Sequence, residues 1–243
     1  MLRKIIYLAA SMLVALGMVL QTSPARVRAL ELEPDGLSAV ALPAGSISII
    51  PVATTDFNRD GSPESLHLAS GRLTILSGGR SFWQSPTAWT VVEAGITDLN
   101  HDGTPEATLL VWRPFRPWPV DQWLPFGGRI TGFHDAEGYS CQIILIGWRG
   151  TEYGELWAGS PLAEPVRSFA VADLNGDKFQ ELVTLEGSYT DPRSAPARAV
   201  KVWEWNGFGF TVVSGLKGTF YKMALVHATD GHNLILLDHW EFP

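Results

Sequence analysis

Asp56-Phe-Asn-Arg-Asp-Gly-Ser-Pro-Glu64 is the first of three related nine-residue stretches in this chain. The other two are Asp98-Leu-Asn-His-Asp-Gly-Thr-Pro-Glu106 and Asp173-Leu-Asn-Gly-Asp-Lys-Phe-Gln-Glu181. Each has Asp at position 1, Asn at position 3, Asp at position 5 and Glu at position 9, and we call them loops one, two and three. Alternating oxygen side chains in a short loop are what Ca²⁺ needs, because it takes six to eight oxygen ligands at short range. The threefold recurrence also predicts that the chain is built from a structural repeat.

The residues around each loop predict β-strands. Short β-branched or alternating apolar runs precede the loops at 49–55, 91–97 and 169–172 and follow them at 65–68, 107–110 and 182–185. A small residue stands three positions before the first Asp of every loop. These residues are Ala53, Gly95 and Ala170. This position favours an inner strand that is crowded against its counterparts near a common axis.

A second hairpin follows each of these strand pairs. Apolar runs at 72–76, 142–146 and 200–204 each lead through a glycine-containing turn into another strand, and Asn206-Gly207 is a strong hairpin signal. The repeating unit is therefore four antiparallel strands with the acidic loop between the first and second strands. Such a unit is a β-propeller blade.

Three full units leave half a unit at each end of the chain. The runs at 221–226 and 233–237, joined at Asp230-Gly231, predict strands one and two, whereas 30–33 and 38–42 predict strands three and four. Together the halves complete a fourth unit and remove two open sheet edges. We therefore predict an all-β, four-bladed β-propeller over residues 30–243, with the fourth blade closed by the N- and C-terminal segments. An open array, or a ring completed by a second chain, is the alternative.

Residues 1–29 form a separate segment in this prediction. Arg3 and Lys4 precede an apolar run from residue 5 to residue 20, and Val27-Arg28-Ala29 follows as a small-x-small exit. This order is typical of a secretory signal peptide, with cleavage expected after Ala29. An uncleaved membrane anchor is the alternative, although the run is shorter than most spanning helices. We therefore expect an exported protein that is secreted, periplasmic or at the cell surface, with membrane contact only if the segment is uncleaved.

Charge and cysteine content narrow the range of partners. The 243-residue chain is 46% hydrophobic and has a net charge of −7, which becomes −11 when the four basic residues of the N-terminal segment are removed. A nucleic-acid partner would need a basic surface, so none is expected. The single cysteine excludes an intrachain disulfide framework.

The nine-residue loops between strands resemble those of the FG-GAP/VCBS-type repeats found in integrin α-chain propellers and many exported bacterial proteins. The resemblance covers residues from about 30 to 243 and implies two to three structural Ca²⁺ sites, with ligands at positions 1, 3, 5, 7 and 9 and a backbone carbonyl at position 7. The implied ligands are Asp56, Asn58, Asp60, Ser62 and Glu64 in loop one; Asp98, Asn100, Asp102, Thr104 and Glu106 in loop two; and Asp173, Asn175, Asp177, Phe179 and Glu181 in loop three.

This chain departs from the family pattern in several places. Position 9 is Glu rather than the usual Asp, the full Phe-Gly…Gly-Ala-Pro signature is missing, and four units replace the usual seven. Lys178 replaces Gly61 and Gly103 at position 6, which leaves metal binding by loop three open. The loops are too short and have the wrong flanks for helical calcium hands, which use twelve residues. The alternative to metal binding is that Asp, Asn and Gly serve here only as turn formers.

A Pro-, Trp- and Arg-rich insertion at 113–140 separates the second and third strands of the second unit. Propeller geometry places it on the face opposite the acidic loops. Its aromatic residues and arginine are of the types enriched in recognition sites, and we expect them to bind a protein or carbohydrate at the cell surface. The candidate ligand-binding residues are Phe115, Arg116, Trp118, Trp123 and Phe126. The alternative is that the tryptophans pack as a lid over the central channel.

An enzyme is not expected, and a secreted or cell-surface hydrolase or lyase using the same face is the alternative function. The sequence has neither a paired-histidine metal motif nor a GxSxG nucleophile motif. Ser214 and Lys217 match SxxK without its companion motifs, and His134-Asp135 lies in the insertion. Cys141 precedes an apolar run and is expected to be buried and inert.

Overall fold

The structure is a computed structural model that describes residues 27–117, 123 and 132–239. These residues form strands and turns without an α-helix, which confirms the prediction of an all-β chain. Within the same residues, none forms a helix long and apolar enough to cross a membrane. The strands are β1 (Val27–Glu33), β2 (Gly36–Val40), β3 (Ile47–Ser48), β4 (Thr54–Thr55), β5 (Glu64–Ala69), β6 (Arg72–Ser77), β7 (Arg80–Gln84), β8 (Thr90–Thr97), β9 (Glu106–Pro114), β10 (Tyr139–Trp148), β11 (Tyr153–Ala158), β12 (Val166–Ala172), β13 (Glu181–Glu186), β14 (Ala197–Trp205), β15 (Phe210–His227) and β16 (Asn233–His239).

The strands pair in four successive antiparallel groups. Group one is β4–β7 and group two is β8–β11, each a four-stranded sheet in chain order. Group three is β12–β14 with the first half of β15. The second half of β15 continues into group four, where it pairs with β16, and β16 pairs with β1. Groups three and four therefore share one long strand and form a single larger sheet.

The start of the described chain pairs with its end in group four. Val27, Arg28, Ala29 and Leu30 of β1 lie opposite residues of β16, and β1 then turns back into β2. The strand begins at Val27, three residues before the predicted start of the folded part. Residues 1–26 of the predicted signal segment lie outside the described residues.

Hydrophobic clusters join the groups that follow one another in the chain, from group one to group four. Leu73 and Ile75 of group one pack with Leu109 and Ile144 of group two. A second cluster joins groups two and three, and a third joins groups three and four. Leu30 lies in the third cluster and is 1% exposed. Loop two and the described start of the insertion lie at opposite ends of group two, because β9 runs from Glu106 to Pro114.

The predicted strand at 49–55 is wrong over most of its length. Only Thr54 and Thr55 pair with β5, whereas Ile47 and Ser48 pair with β15 of group four. Pro51 has no N–H to donate to a strand ladder, and a proline within a run limits pairing on both sides. The segment 47–53 therefore crosses from group four to group one instead of lengthening the first strand.

The structure does not show the predicted crowding at Gly95 or at Ala53. A Cβ atom on Gly95 would lie 3.6 Å from the ring of Phe169 on β12, which is an ordinary van der Waals contact with a long side chain and leaves room for an alanine. Ala53 is exposed, because its segment does not form the predicted strand. Apolar side chains of the crossing segment are exposed as well, with Ile50 84% and Val52 57% accessible.

Candidate functional site

The three acidic loops share one conformation that is built around positions 2 and 9. Both side chains are buried in every loop. They are Phe57 and Glu64 in loop one, Leu99 and Glu106 in loop two, and Leu174 and Glu181 in loop three. The backbone N–H of position 2 donates to the position 9 carboxylate at N···O distances of 2.9, 2.7 and 2.6 Å in loops one, two and three. The apolar side chain fixes the start of the loop in the core, and the Glu carboxylate is held beside it.

The oxygens at positions 1, 3 and 5 accept backbone N–H groups of their own loop. Position 1 accepts from the N–H of position 6 at 2.8, 3.1 and 2.9 Å in loops one, two and three. Position 3 accepts from the N–H of position 5 at 2.9, 3.2 and 2.9 Å. Position 5 accepts from the N–H of position 7 at 2.8, 2.7 and 2.8 Å. The turn-forming role of Asp and Asn is therefore present in all three loops.

Turn formation leaves one buried carboxylate oxygen without a partner in loop two. Glu106 Oε2 makes no hydrogen bond, while its Oε1 accepts from Leu99 and from the Thr97 hydroxyl. Glu64 Oε1 in loop one also makes none. The buried Tyr153 hydroxyl likewise makes no hydrogen bond, and burial and then the Glu64 carboxylate raise the pKa of Tyr153. A buried unpaired carboxylate oxygen is costly in free energy unless a cation or donor meets it, and this is clearest for loop two.

Burial and neighbouring acids raise the pKa of two of the position 9 carboxyl groups. Burial raises the pKa of Glu106 to about 8, and the negative charges of Asp98 and Asp102 add to the rise. Burial likewise raises the pKa of Glu181 to about 7, again with a contribution from the acids of its own loop. A nearby positive charge would favour the ionised carboxylates and offset this repulsion.

Loop three fits a cation less well than loops one and two. The Asn175 amide donates to Glu181 Oε1 at 3.1 Å, so both carboxylate oxygens already have partners. Lys178 has a left-handed φ of 76°, in the same region as Gly61 at 87° and Gly103 at 75° in the other loops. Its backbone N–H still donates to Asp173, so the substitution preserves the turn.

The oxygen donors of the loops are of the kind that Ca²⁺ binds, although they do not form a preorganised coordination site. Among the described residues, no group of three or more His, Cys, Asp or Glu side chains is arranged to hold a metal ion. The candidate set in each loop also includes an Asn amide oxygen and a backbone carbonyl, which are ordinary Ca²⁺ ligands. All five donors are oxygens, and loops one and two each offer an unpaired oxygen on a buried Glu.

The insertion face is described only in part. Trp118 and Phe126 lie outside the described residues. Phe115 is half-buried and its ring lies 4.9 Å from that of His134, whereas Arg116 is exposed and Trp123 is 80% exposed. Phe115 at the start of the insertion therefore contacts His134 near its C-terminal end, whereas Trp123 is open to solvent.

The insertion is joined to the shorter 188–198 extension of group three. Arg193 of this extension donates to Asp135, with Nη2 2.5 Å from Oδ2, and its guanidinium lies 4.0 Å from the centre of the Trp112 ring. Burial opposes ionisation of Asp135, but Arg193 and the N–H groups of Tyr139 and Glu137 lower its pKa overall. The Asp135 carboxylate is therefore committed to Arg193, and His134 Nδ1 instead lies 2.7 Å from the backbone carbonyl oxygen of Asp135.

A cleft of about 790 Å³ opens beside the described end of the insertion, along β13, β14 and β15 of group three. Gly132 and Phe133 form part of its wall. Lys201 lies within it and bridges two carboxylates, at 2.6 Å from Glu164 and 2.7 Å from Glu186. Burial raises the pKa of Glu186, whereas the hydrogen bond from Lys201 is the largest cause of the lowered pKa of Glu164.

The other candidate reactive residues have structural partners. Ser214 accepts a hydrogen bond from the backbone N–H of Leu37 at 2.9 Å and so links β15 to β2. Lys217 lines the cleft without contacting Ser214 in any described hydrogen bond. Cys141 is fully buried in the core between groups two and three, as expected, and burial raises the pKa of its thiol to about 12.

Sequence reasoning missed two sets of residues. Lys201, Glu164 and Glu186 come from three separate segments, and no local pattern links them. Arg59 and His101 at position 4 of loops one and two had a visible signal, since Gly stands at that position in loop three. Comparing the loops at the positions that vary, as well as at those that agree, would have identified them.

The chain matches none of the protein-family models and none of the curated protein sequences. Among solved structures it is similar to the crystal structure of BBS1N in complex with ARL6DN, soaked with lead. The likeness has 10% sequence identity and a TM-score of 0.28 and covers 80% of this chain and 67% of that chain. At this TM-score it supports no conclusion about the function of this protein.

Proposed function

We propose that the protein is an exported four-bladed β-propeller, stabilised by calcium in its acidic loops, that binds a protein or a glycan on its insertion face. The four antiparallel groups are its blades. Hydrophobic clusters between groups one and two, two and three, and three and four support this arrangement. The pairing of β1 with β16 supports closure of the fourth blade by the two ends of the chain.

The observation that supports calcium most directly is the buried, unpaired Oε2 of Glu106 in a loop of oxygen donors. Loops one and two would hold Ca²⁺ through positions 1, 3, 5, 7 and 9, and loop three would do so more weakly. The ion would neutralise carboxylates that otherwise repel one another and would link the first two strands of a blade. Because it would bind only the folded loop, it would stabilise the protein by mass action.

A chelator tests this role. At a free calcium concentration about 100-fold above the dissociation constant, one site adds about 2.7 kcal/mol of stability. For a chain of this length that corresponds to a melting temperature roughly 5–10 °C higher. We expect chelator to remove this gain and added Ca²⁺ to restore it, with Mg²⁺ at the same concentration restoring less. Identical melting curves with and without chelator would contradict the proposal.

The binding role rests on the exposed Trp123 and on the cleft beside the insertion. Exposed tryptophans and clefts of this size are both typical of recognition surfaces. Trp123→Ala should reduce binding to a glycan array or to the surface of cells at least about tenfold. Phe208 provides a matched control, since it is 88% exposed and lies in the β14–β15 turn at the other end of the blade. Equal binding by Trp123→Ala, Phe208→Ala and the unchanged protein would contradict a ligand site on this face.

A hydrolase or lyase that uses the same cleft is the second candidate. Glu186, with a raised pKa, and Glu164, with a lowered pKa, both line it. Two carboxyl groups whose pKa values are pushed apart are the usual pattern of a general acid and a general base. Lys201 contacts both, which favours a structural ion pair instead. Turnover of a polysaccharide or ester substrate that is lost in Glu186→Gln would support the enzyme, and absence of turnover across such substrates would exclude it.

A further inference from the structure

Position 4 of the acidic loops has a backbone conformation that only glycine adopts without cost. Arg59 has φ 60° and His101 has φ 58°, while Gly176 in loop three has φ 81°. L-residues other than glycine adopt this left-handed region at a cost in free energy. Such strain at a repeated position is a reason to look for a role of the side chains that are kept there.

Both side chains reach from their own loop to the next loop in the chain. Arg59 Nη2 donates to Thr104 Oγ1 at 2.9 Å. His101 Nε2 lies 3.1 Å from the carbonyl oxygen of Gln180, and its ring stacks on Phe179 at 4.5 Å with an interplanar angle of 25°. Thr104 and Phe179 both occupy position 7, which supplies the backbone carbonyl of the candidate calcium site. A position 4 side chain therefore contacts the ligand segment of the following loop in both cases.

The link between loops two and three is the stronger of the two. Besides the His101 contacts, the Gln180 side chain accepts a hydrogen bond from the backbone N–H of Asp98 at 2.8 Å. The Arg59 bond is a single exposed one. Loop three has no acidic loop after it. Its neighbour is the 230–231 turn, and Asn233 on that side donates directly to the Asp173 carbonyl at 2.6 Å. Gly176 thus stands where no connecting side chain is needed.

We propose that the position 4 side chains couple the calcium sites of neighbouring loops, so that the loops fill cooperatively. Loop three fills last and depends on His101. This inference rests on the proposed calcium binding. Ordering loop two around an ion fixes the backbone of His101, which holds the Phe179 and Gln180 segment in the position that loop three needs. Two sites that favour one shared arrangement raise each other's affinity by the same factor.

Loop three is the site that gains most from such help. Its Glu181 oxygens are already occupied by its own Leu174 and Asn175, so binding requires rearrangement there. Glu106 in loop two has an oxygen free for an ion without such an exchange. The order of filling therefore follows from the partners of the two glutamates.

Isothermal titration of the purified full-length protein with CaCl₂ alone tests the coupling. The unchanged protein should bind more than one ion with an isotherm steeper than independent sites allow. His101→Ala should keep the number of ions and weaken the last binding step at least about fivefold. Arg59→Ala, the equivalent change in loop one, should alter the affinities only about twofold, because its bond is exposed.

His101→Gly separates coupling from backbone strain. Glycine keeps the left-handed conformation without strain and removes the side chain, so it should lose the coupling as His101→Ala does while keeping the melting temperature in chelator. If the His101 variants bind calcium with the same isotherm as the unchanged protein, the coupling is refuted and calcium binding stands. If the unchanged protein binds no calcium, both proposals are refuted.

Discussion

Leu30 offers a quantitative test of how the chain closes. It lies on β1, opposite Ile235 of β16, and is 1% exposed in the core shared by groups three and four. Leu30→Ala removes three buried carbon atoms and leaves a cavity. Comparable changes in protein cores cost about 2–5 kcal/mol, and we expect about 3 kcal/mol here because strands surround the site. For a chain of this length the melting temperature should fall by roughly 6–12 °C.

Leu42→Ala is the matched control for this change. Leu42 follows β2 and is 45% exposed, so its truncation should change stability by no more than about 0.5 kcal/mol. Urea unfolding of both variants gives the comparison, since a shift in midpoint at constant slope reports stability alone. If β1 is not docked between β16 and β2, Leu30 is an ordinary surface leucine. Equal midpoints for the two variants would therefore refute closure of the fourth group by the start of the chain.

Three further predictions concern protonation, reactivity and processing. Glu93 accepts the Phe169 N–H, and burial raises the pKa of its carboxyl group. The folded chain therefore keeps a proton on Glu93 that the unfolded chain releases near pH 4.5. The free energy of unfolding should fall as the pH rises from about 4.5 through the raised pKa. Glu93→Gln should flatten this dependence in urea titrations at several pH values, and an unchanged slope would contradict it. With its pKa raised to about 12, the buried Cys141 thiol should react with a thiol reagent only after unfolding, and rapid labelling in buffer would contradict its placement. If the N-terminal segment is removed, mass spectrometry should find an N-terminus at or before Val27, because a cut after Ala29 would delete three of the four residues that pair β1 with β16.

The sequence was informative wherever local chemistry decides the conformation. The Asn206-Gly207 hairpin and the recurring loop positions predict strands and turns that the structure contains, because turn residues and strand periodicity act over a few neighbours. The same rules failed at 49–55, where Pro51 interrupts an apolar run that would otherwise pair. They could not find the Lys201 cluster, since Glu186 and Lys201 meet only through the pairing of β13 with β14, and Glu164 reaches them from the β11–β12 connection.

The N-terminal boundary illustrates a pattern with two meanings. Val27-Arg28-Ala29 fits the small-x-small exit of a signal peptide, and it also forms the first residues of β1, with Ala29 4% exposed. Small and β-branched residues suit both roles, so local sequence cannot choose between them. The pairing with β16 supplies the information that the local pattern lacks.

The calcium content of the purified protein tests most directly whether the acidic loops hold calcium. After dialysis against buffer with micromolar free Ca²⁺, elemental analysis should find two to three calcium ions per chain. Glu106→Gln, which keeps the size of the side chain and removes its charge, should lower the content by about one ion. Calcium at background level in the unchanged protein, or a content unaffected by Glu106→Gln, would contradict the account.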